Sequence, residues 1–219
     1  WESVESWQQD IPGKLRTAVP LPALLAMVVL ARTLALDAAP REGFTWHAVA
    51  VLCETAFFAM LRPVEVLRLR RTMVLLPQAM SGLGGKYALC SVLRAKNQRT
   101  LGRSQFSIVR NENTTAWLEW LCEGLHPLEL LWPFSEVEFR KRLKLLGRLL
   151  GLSAWSILPS RMRPGGATYF CVQGVDPSRL MFWGRWASER SLKHYIQESV
   201  SSQLMLLSSR QSKLFISKL

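Results

Sequence analysis

With 219 residues, 49% of them hydrophobic and nine of them Trp, the chain is long and apolar enough to bury a core, which excludes a disordered protein. Its net charge of +12, carried mostly by Arg, indicates a polyanionic partner, although a GC-rich coding sequence also inflates the Arg content. The four cysteines are scattered without a C-x-x-C pair, which argues against a disulfide scaffold and a zinc site, and no other metal or cofactor is indicated.

The N-terminal part predicts a linker followed by a helix. Residues 1–20 begin with a polar stretch and are interpreted as the linker, and the apolar run Leu21–Leu36 is typical of a buried helix. This run is interrupted by Pro22 and Arg32 and is shorter than the about 20 apolar residues that cross a bilayer. No signal peptide opens the chain. The sequence therefore predicts an intracellular protein without a membrane partner, located in the nucleus if its source is eukaryotic and in the cytoplasm or nucleoid otherwise.

A second helix is predicted to lie at the centre of the fold. Ala38–Gly43 is expected to form a loop, and Thr45 to cap a helix over Trp46–Met60. That helix is apolar on nearly all faces, which is typical of a central helix. Pro63 ends it, because proline disfavours helical geometry in the preceding residue, and Pro63 then suits the first position of a short helix to about Arg70.

The middle of the chain predicts a sheet. Short β-compatible runs separated by turns with Gly and Asn cover Met73–Leu76, Tyr87–Leu93 and Gln105–Val109. Helices return with Thr115–Cys122. The expected fold class is therefore α+β, mainly α-helical, with a small three-stranded antiparallel sheet.

The strongest local signal is a capping box, Ser135-x-x-Glu138, flanked by two phenylalanines that form a hydrophobic staple. The helix that it opens has a basic surface that includes Arg140 and Lys144. Such a surface fits a DNA backbone, although a charge run alone is more often a solvated face.

Proline and glycine divide the last third of the chain into short helices. One is predicted from about Pro164 to Gly174, and another from a cap at Asp176 to Gly184. A last helix carries Tyr195. The tail Val200–Leu219 has a weakly amphipathic pattern and is expected to dock onto a neighbouring protomer.

Two arginines, Arg62 and Arg163, share one local setting, because each precedes a proline that is expected to begin a helix. The first turn of a helix has free N–H groups and a partial positive charge, which suit an anion. Either arginine alone is interpreted as a surface ion pair. Together, and at a fixed spacing from Tyr195, they favour a grip on the non-bridging oxygens of one phosphodiester.

Three further residues complete a set suited to phosphoryl transfer without a metal. Tyr195, nine residues after Trp186, is a weak nucleophile that needs a base or a positive field, and the arginines supply such a field. Lys96 lies in a predicted turn between the second and third strands, where its ammonium can protonate a leaving oxygen. Taken alone it is a solvated hairpin lysine, and Lys86 is its rival.

Several segments carry a family resemblance: Phe57–Glu65, Arg94–Arg99, Ser160–Arg163, Gly174–Asp176, and Gly184–Trp186 with Lys193–Tyr195. In this order they resemble the first catalytic-arginine motif, the β-hairpin lysine turn, the His-x-x-Arg motif, the G-V-D turn and the nucleophilic-tyrosine segment of tyrosine recombinases, the phage-integrase family. The resemblance runs from about Leu21 to Glu198. The sequence that follows Met162 is also similar to that of eukaryotic mobile-element recombinases.

The resemblance implies an enzyme that cuts and rejoins DNA. Tyr195 would attack the scissile phosphate and form a 3′-phosphotyrosyl bond. Arg62 and Arg163 would stabilise the pentacoordinate phosphate, and Lys96 would protonate the leaving 5′-oxygen. No cofactor is implied.

Supporting roles follow from the same resemblance. Trp186 would contact the phosphate or buttress Tyr195, and Glu65 would orient Arg62. Contacts with double-stranded DNA are expected from Arg94, Arg99, Arg140, Lys144 and Arg185.

The resemblance also implies a domain organisation. The N-terminal DNA-binding domain usual in the family is missing, so residues 1–20 would be the linker from it, residues 21–199 the catalytic domain, and residues 200–219 the tail that docks in trans. The implied assembly is a dimer or tetramer on DNA, in the recombination or integration of a mobile element.

One departure from the family pattern affects the expected activity. Ser160 stands where the family has the His that is often assigned to proton transfer. Serine cannot act as a base near neutral pH, and His194 is expected to be structural because neighbouring residues on a helix point about 100° apart. The alternative to an active recombinase is therefore a catalytically impaired DNA-binding remnant of the same fold.

Overall fold

A computed structural model describes residues 18–79, 85–93, 102, 105–153, 157–193, 195 and 196. Within these ranges the helices are Leu21–Leu36 (α1), Pro40–Phe58 (α2), Pro63–Leu67 (α3), Glu112–Cys122 (α4), Glu136–Leu149 (α5), Met162–Val172 (α6), Pro177–Gly184 (α7) and Glu189–Lys193 (α8). Together with one small antiparallel sheet, they confirm the predicted fold class, mainly α-helical α+β.

The centre of the fold is α2. It packs along α1, and it also contacts α4 and α6. Every residue from Ala48 to Phe58 is buried, as expected for a helix that is apolar on nearly all faces. Because this helix is fixed on all sides, the residues that follow its C-terminal end are held in a defined place.

The predicted loop over Ala38–Gly43 is wrong. The helix α2 begins at Pro40, and Thr45 lies inside it, where its hydroxyl donates to the Arg41 carbonyl at 2.9 Å. Proline at the first helical position is itself a start signal. A threonine hydroxyl within a helix bonds back to the carbonyl four residues earlier, so Thr45 does not act as a cap.

Two adjacent glycines let α6 cross α2 at short range. A Cβ added to Gly166 would lie 2.0 Å from the carbonyl oxygen of Phe57, and one added to Gly165 would lie 2.4 Å from that of Val19. Both separations are far shorter than van der Waals contact, so only glycine fits. The pair thus fixes the depth at which the start of α6 is buried.

The sheet lies beside the end of α2. Its strands, in the order β1-β2-β3, are Val74–Leu75 (β1), Ala88–Val92 (β2) and Gln105–Val109 (β3). Alternate residues of β3 are buried, and the hydroxyl of Ser107 donates to the Ala59 carbonyl. This hydrogen bond holds β3 against the turn that follows α2.

The predicted capping box of α5 forms only in part. The Ser135 hydroxyl accepts from the Glu138 N–H at 3.2 Å, and the rings of Phe134 and Phe139 stack at 5.9 Å, as the staple predicts. The Glu138 carboxylate, however, accepts from Arg142 at 2.9 Å. The guanidinium of Arg142, one turn later in the helix, is therefore the main partner of the Glu138 carboxylate.

All four cysteines are free thiols, and three of them are buried. In the ranges that the structure describes, His, Cys, Asp and Glu form no group placed to hold a metal ion. Over the same ranges, no helix combines the length and the apolar character that crossing a membrane requires.

Candidate active site

Two helices end next to each other in the same strained conformation. The second residue after the end of α2, Met60, has φ 49°, and the first residue after α7, Arg185, has φ 58°. In both cases the next amide bonds to the carbonyl five residues earlier at 3.0 Å, which is the Schellman arrangement. This left-handed conformation normally takes glycine, and strain of this kind clusters at functional sites. The two turns therefore mark a candidate site.

Arg163 ties the two turns together. It lies in the first turn of α6 and is 1% exposed. Its Nη1 donates to the carbonyl of Met60, and its Nη2 donates to the carbonyl of Gly184 at 2.5 Å. Because helix C-termini carry partial negative charge, they stabilise a guanidinium placed between them. The guanidinium also lies 4.4 Å from the ring centroid of Trp186 and 5.4 Å from that of Tyr195.

Positive charge is concentrated around Arg163. Burial lowers its pKa, and the neighbouring charges of Arg62 and Arg185 lower the pKa further. Arginine nevertheless keeps its proton in proteins, so the guanidinium remains charged at neutral pH. The positive charges of three arginines therefore repel one another within a small region.

Glu65 balances part of this charge. Its carboxylate accepts from the backbone N–H and the Nη1 of Arg62, both at 2.8 Å, and from the Nη2 of Arg185 at 2.7 Å. Burial raises the pKa of Glu65, but Arg185 and Arg62 outweigh burial and hold the pKa below its usual value. With Arg163 included, three guanidinium charges against one carboxylate charge leave a net +2. This excess attracts an anion.

The expectation that a proline begins the helix beside each arginine is confirmed for Pro63, which follows Arg62, and is wrong for Pro164, which follows Arg163. The helix α3 has only five residues, and the Glu65 carboxylate already accepts the N–H of Arg62 at its start. The helix α6 begins at Met162, ahead of Pro164, because a proline in the first turn removes no intrahelical hydrogen bond. Arg163 is therefore inside the helix and faces carbonyls. Guanidinium groups, and not helix N-termini, supply the positive field.

Trp186 packs against both Arg163 and Tyr195. It is 4% exposed, and its ring centroid lies 5.4 Å from that of Tyr195. The benzene edge of its indole covers Gly184, where a Cβ would lie 1.6 Å from the ring. The carbonyl of the half-buried Tyr195 accepts from the Thr168 hydroxyl at 3.4 Å. This geometry suits the buttressing role that the resemblance implies for Trp186.

Other predicted residues lie further away or outside the described ranges. Lys96, Arg94 and Arg99 lie outside the described residues. Lys86, the rival of Lys96, is exposed and pairs with Glu112 at 3.5 Å. Half-buried Ser160 lies in the 3₁₀ turn Pro159–Arg161 that leads into α6.

The basic face of α5 lies at the other end of α2. Lys144 and Glu42 line a groove of about 760 Å³ between α5 and the start of α2. Glu42 and Met60 are about 27 Å apart along the helix axis, from the rise per residue. Arg140 is exposed and pairs with Glu136 on its own helix at 2.6 Å. Any DNA contact of this face is therefore separate from the arginine cluster.

Sequence reasoning missed two features of the site. It placed Arg185 on the DNA, whereas the structure buries this residue to 5% exposure against Glu65. The sequence did carry a signal that Arg185 has a special conformation, because it lies directly after a helix end, where glycine is the usual residue. Met60 has no such signal, because nothing in the local sequence marks it for a left-handed conformation.

Arg163 lies on α6, whereas Trp186 follows α7 and Tyr195 follows α8, because the last helix, predicted to carry Tyr195, ends at Lys193. Together with α2 and the sheet beside its end, these elements form the fold of a tyrosine-recombinase catalytic domain. A solved structure of the XerH site-specific recombinase bound to difH substrate, a pre-cleavage complex, matches this chain with a TM-score of 0.62 and 16% identity, over 83% of this chain and 50% of that chain. The post-cleavage complex of XerH with palindromic difH substrate matches with a TM-score of 0.62 and 15% identity, over 85% and 51%.

The likeness to XerH concerns the fold alone. At 15–16% identity the sequences are far apart, and this chain spans about half the length of the XerH chains. No protein-family model matches the sequence, and neither does any curated protein. The functional assignment therefore depends on the chemistry of the cluster.

Proposed function

We propose that this chain cleaves and rejoins DNA at specific sites through a 3′-phosphotyrosyl intermediate. The observation that carries the proposal is the cluster of Arg62, Arg163 and Arg185, which keeps a net positive charge after pairing with Glu65 and lies beside the ring of Tyr195. A phosphodiester under attack gains negative charge on its equatorial oxygens, and fixed positive groups stabilise that charge. The recombinase fold supports the same reaction class.

In the proposed step, the phenolic oxygen of Tyr195 forms a bond to phosphorus while the bond from phosphorus to the 5′-oxygen breaks. The phenol gives up its proton to water, and the leaving 5′-oxygen takes one from Lys96. Rejoining is the same exchange in reverse. The side chain of Arg62 is 21% exposed and can meet the phosphate directly. The indole N–H of Trp186 is buried and has no hydrogen-bond partner among the described residues, so it offers a further donor.

For the chain as a whole, we propose the organisation that its sequence predicts. Residues 21–199 are the catalytic unit, residues 1–20 link it to a DNA-binding domain, and residues 200–219 dock onto a neighbouring protomer in a dimer or tetramer on DNA. The basic residues that contact the duplex include Lys144. The biological process is integration or recombination of a mobile element, in the nucleus if the source is eukaryotic and in the cytoplasm or nucleoid otherwise.

A second candidate is a DNA-binding remnant that no longer cleaves. Ser160 replaces the histidine expected for proton transfer. In addition, Arg163 is 1% exposed and both of its Nη groups donate to backbone carbonyls. Both observations favour a site that keeps its positive charge but does not bring all of the groups needed for cleavage into contact with a phosphate.

The decisive test is covalent trapping on nicked DNA. The chain is incubated with a pool of nicked duplexes of random sequence, and DNA that stays attached after denaturation is recovered and sequenced. We expect an adduct with the parent and with Tyr169→Phe, a matched tyrosine on α6, and no adduct with Tyr195→Phe. Retention of DNA without an adduct supports the remnant, and the absence of both contradicts the proposed function.

A further inference from the structure

We propose that Arg185 is a positioning residue for the proposed cleavage reaction: its guanidinium holds the Glu65 carboxylate in place, and Glu65 in turn holds the guanidinium of Arg62 toward the phosphate. The inference rests on the proposed function. It gives Arg185 a role other than the DNA contact that its sequence context predicts.

The first support is that the two arginines share one carboxylate. Arg185 donates to Oε2 of Glu65 at 2.7 Å and to Oε1 at 3.4 Å. Arg62 uses the same two oxygens, with its N–H on Oε2 and its Nη1 on Oε1, both at 2.8 Å. Glu65 thus lies between a fully enclosed cation and a partly open one, since the side chain of Arg185 is 5% exposed and that of Arg62 is 21% exposed.

The second support is the backbone of Arg185. Its φ of 58° lies in the left-handed region, where glycine is favoured and a side chain is strained. The turn itself therefore does not require an arginine. The side chain contributes the ion pair with Glu65, which joins the turn that carries Trp186 to the start of α3, where Arg62 lies.

The third support is the charge balance around Glu65. Within the described ranges, the charged groups that face it are Arg62, Arg163 and Arg185. Burial alone raises the pKa of Glu65, and Arg185 is the largest influence that lowers it. Without Arg185, the buried carboxyl retains its proton to a higher pH. A protonated Glu65 accepts less well from Arg62, which then loses its fixed orientation.

The experiment compares the parent with Arg185→Gly and Arg185→Lys. Arg185→Gly removes the side chain but relieves the backbone strain, so the turn is retained. Single-turnover adduct formation is measured on nicked DNA from pH 5 to 8, with DNA affinity measured in parallel. We expect Arg185→Gly to form adduct about 10- to 100-fold more slowly, the usual loss when a supporting partner of a site residue is removed. We also expect its acid limb to move to higher pH, with DNA affinity unchanged.

Arg185→Lys is expected to restore the parental pH profile, because it retains the positive charge, with a rate between the other two. Equal rates and pH profiles for the parent and Arg185→Gly would overturn the proposal. A loss of DNA affinity that accounts for the whole rate loss would overturn it too, in favour of a DNA contact.

A second readout does not depend on cleavage. The carboxyl group of Glu65 is titrated by ¹³C NMR in protein labelled at glutamate, with Glu65→Gln identifying its signal. We expect the Glu65 pKa to be higher in Arg185→Gly than in the parent. An unchanged pKa would overturn the positioning role, whereas a parent that forms no adduct on any DNA would overturn the proposed function.

Discussion

Replacing Arg163 with alanine is predicted to destabilise the fold, beyond any effect on DNA cleavage. The substitution removes the donor from two buried carbonyl oxygens, those of Met60 and Gly184. Each unsatisfied buried group costs about 1–3 kcal/mol. The cost of burying the guanidinium disappears with it, which offsets part of this loss. We therefore expect the free energy of unfolding to fall by about 3–5 kcal/mol, the range for removing one partner of a buried charged interaction.

The assay is urea unfolding followed by tryptophan fluorescence, because Trp186 lies against the guanidinium and reports on the site. Arg163→Lys keeps the charge, but a single ammonium cannot span two carbonyls as a planar fork does, so we expect an intermediate loss. Arg140→Ala is the matched control. Its side chain is 54% exposed and pairs with Glu136 on its own helix, so its removal should change stability by less than about 0.5 kcal/mol.

A loss below about 1 kcal/mol for Arg163→Ala would refute this reasoning, since an average point substitution already destabilises a protein by about that much. It would mean that the two turns close without the guanidinium, for example through water on the two carbonyls. All five N–H donors of Arg163 would then be available to a phosphate, which would favour an active enzyme over the remnant.

Three further predictions test separate parts of the molecule. Burial raises the pKa of Glu54 to about 7, against the lowering effect of Arg32, from its usual 4.5. The folded state therefore binds this proton more tightly than the unfolded state, so the free energy of unfolding falls as the pH rises from about 4.5 to about 7. Glu54→Gln should flatten this fall, measured as the urea midpoint against pH. An unchanged dependence on pH would contradict the raised pKa of Glu54. Gly166→Ala should lower the free energy of unfolding by about 2 kcal/mol or more through overpacking. Gly147→Ala, whose added Cβ meets the nearest atom at 3.6 Å, should raise it by about 0.5–1 kcal/mol in the same assay. Equal effects of the two substitutions would argue against close packing of α6. If α5 contacts DNA, Lys144→Ala should reduce the slope of log affinity against log salt by about 1, and an unchanged slope would exclude that contact.

Local signals in the sequence were sufficient for several elements. Leu21–Leu36 and Gln105–Val109 have the predicted bounds, because proline at one helix start and a β-compatible run between turns fix each element without help from the rest of the chain. The cap at Asp176 is also as predicted, with its carboxylate accepting two backbone N–H groups. In these places short-range chemistry and the final fold agree.

The surroundings of the charged residues could not be predicted in this way. The two carbonyl partners of Arg163 lie 103 and 21 positions away in sequence, and they face it only because two helix ends meet. Arg185 pairs with a carboxylate 120 positions away. A motif states which residue types are present, but which atoms they contact depends on where helices end. That depends in turn on long-range packing such as the close crossing of α6 over α2.

Arg163 therefore has to serve both the fold and the proposed chemistry, and its hydrogen-bonding capacity limits how it can do so. A guanidinium has five N–H donors, and Arg163 gives one from each Nη to a backbone carbonyl. Its Nε is buried and has no partner in the part of the chain that the structure describes. A phosphate can therefore be bound through the remaining donors without breaking either carbonyl contact. We therefore expect Arg163→Lys, measured without denaturant at a temperature where it remains folded, to bind DNA but no longer to form the adduct. Proportional loss of stability and cleavage would instead show that Arg163 serves the fold alone.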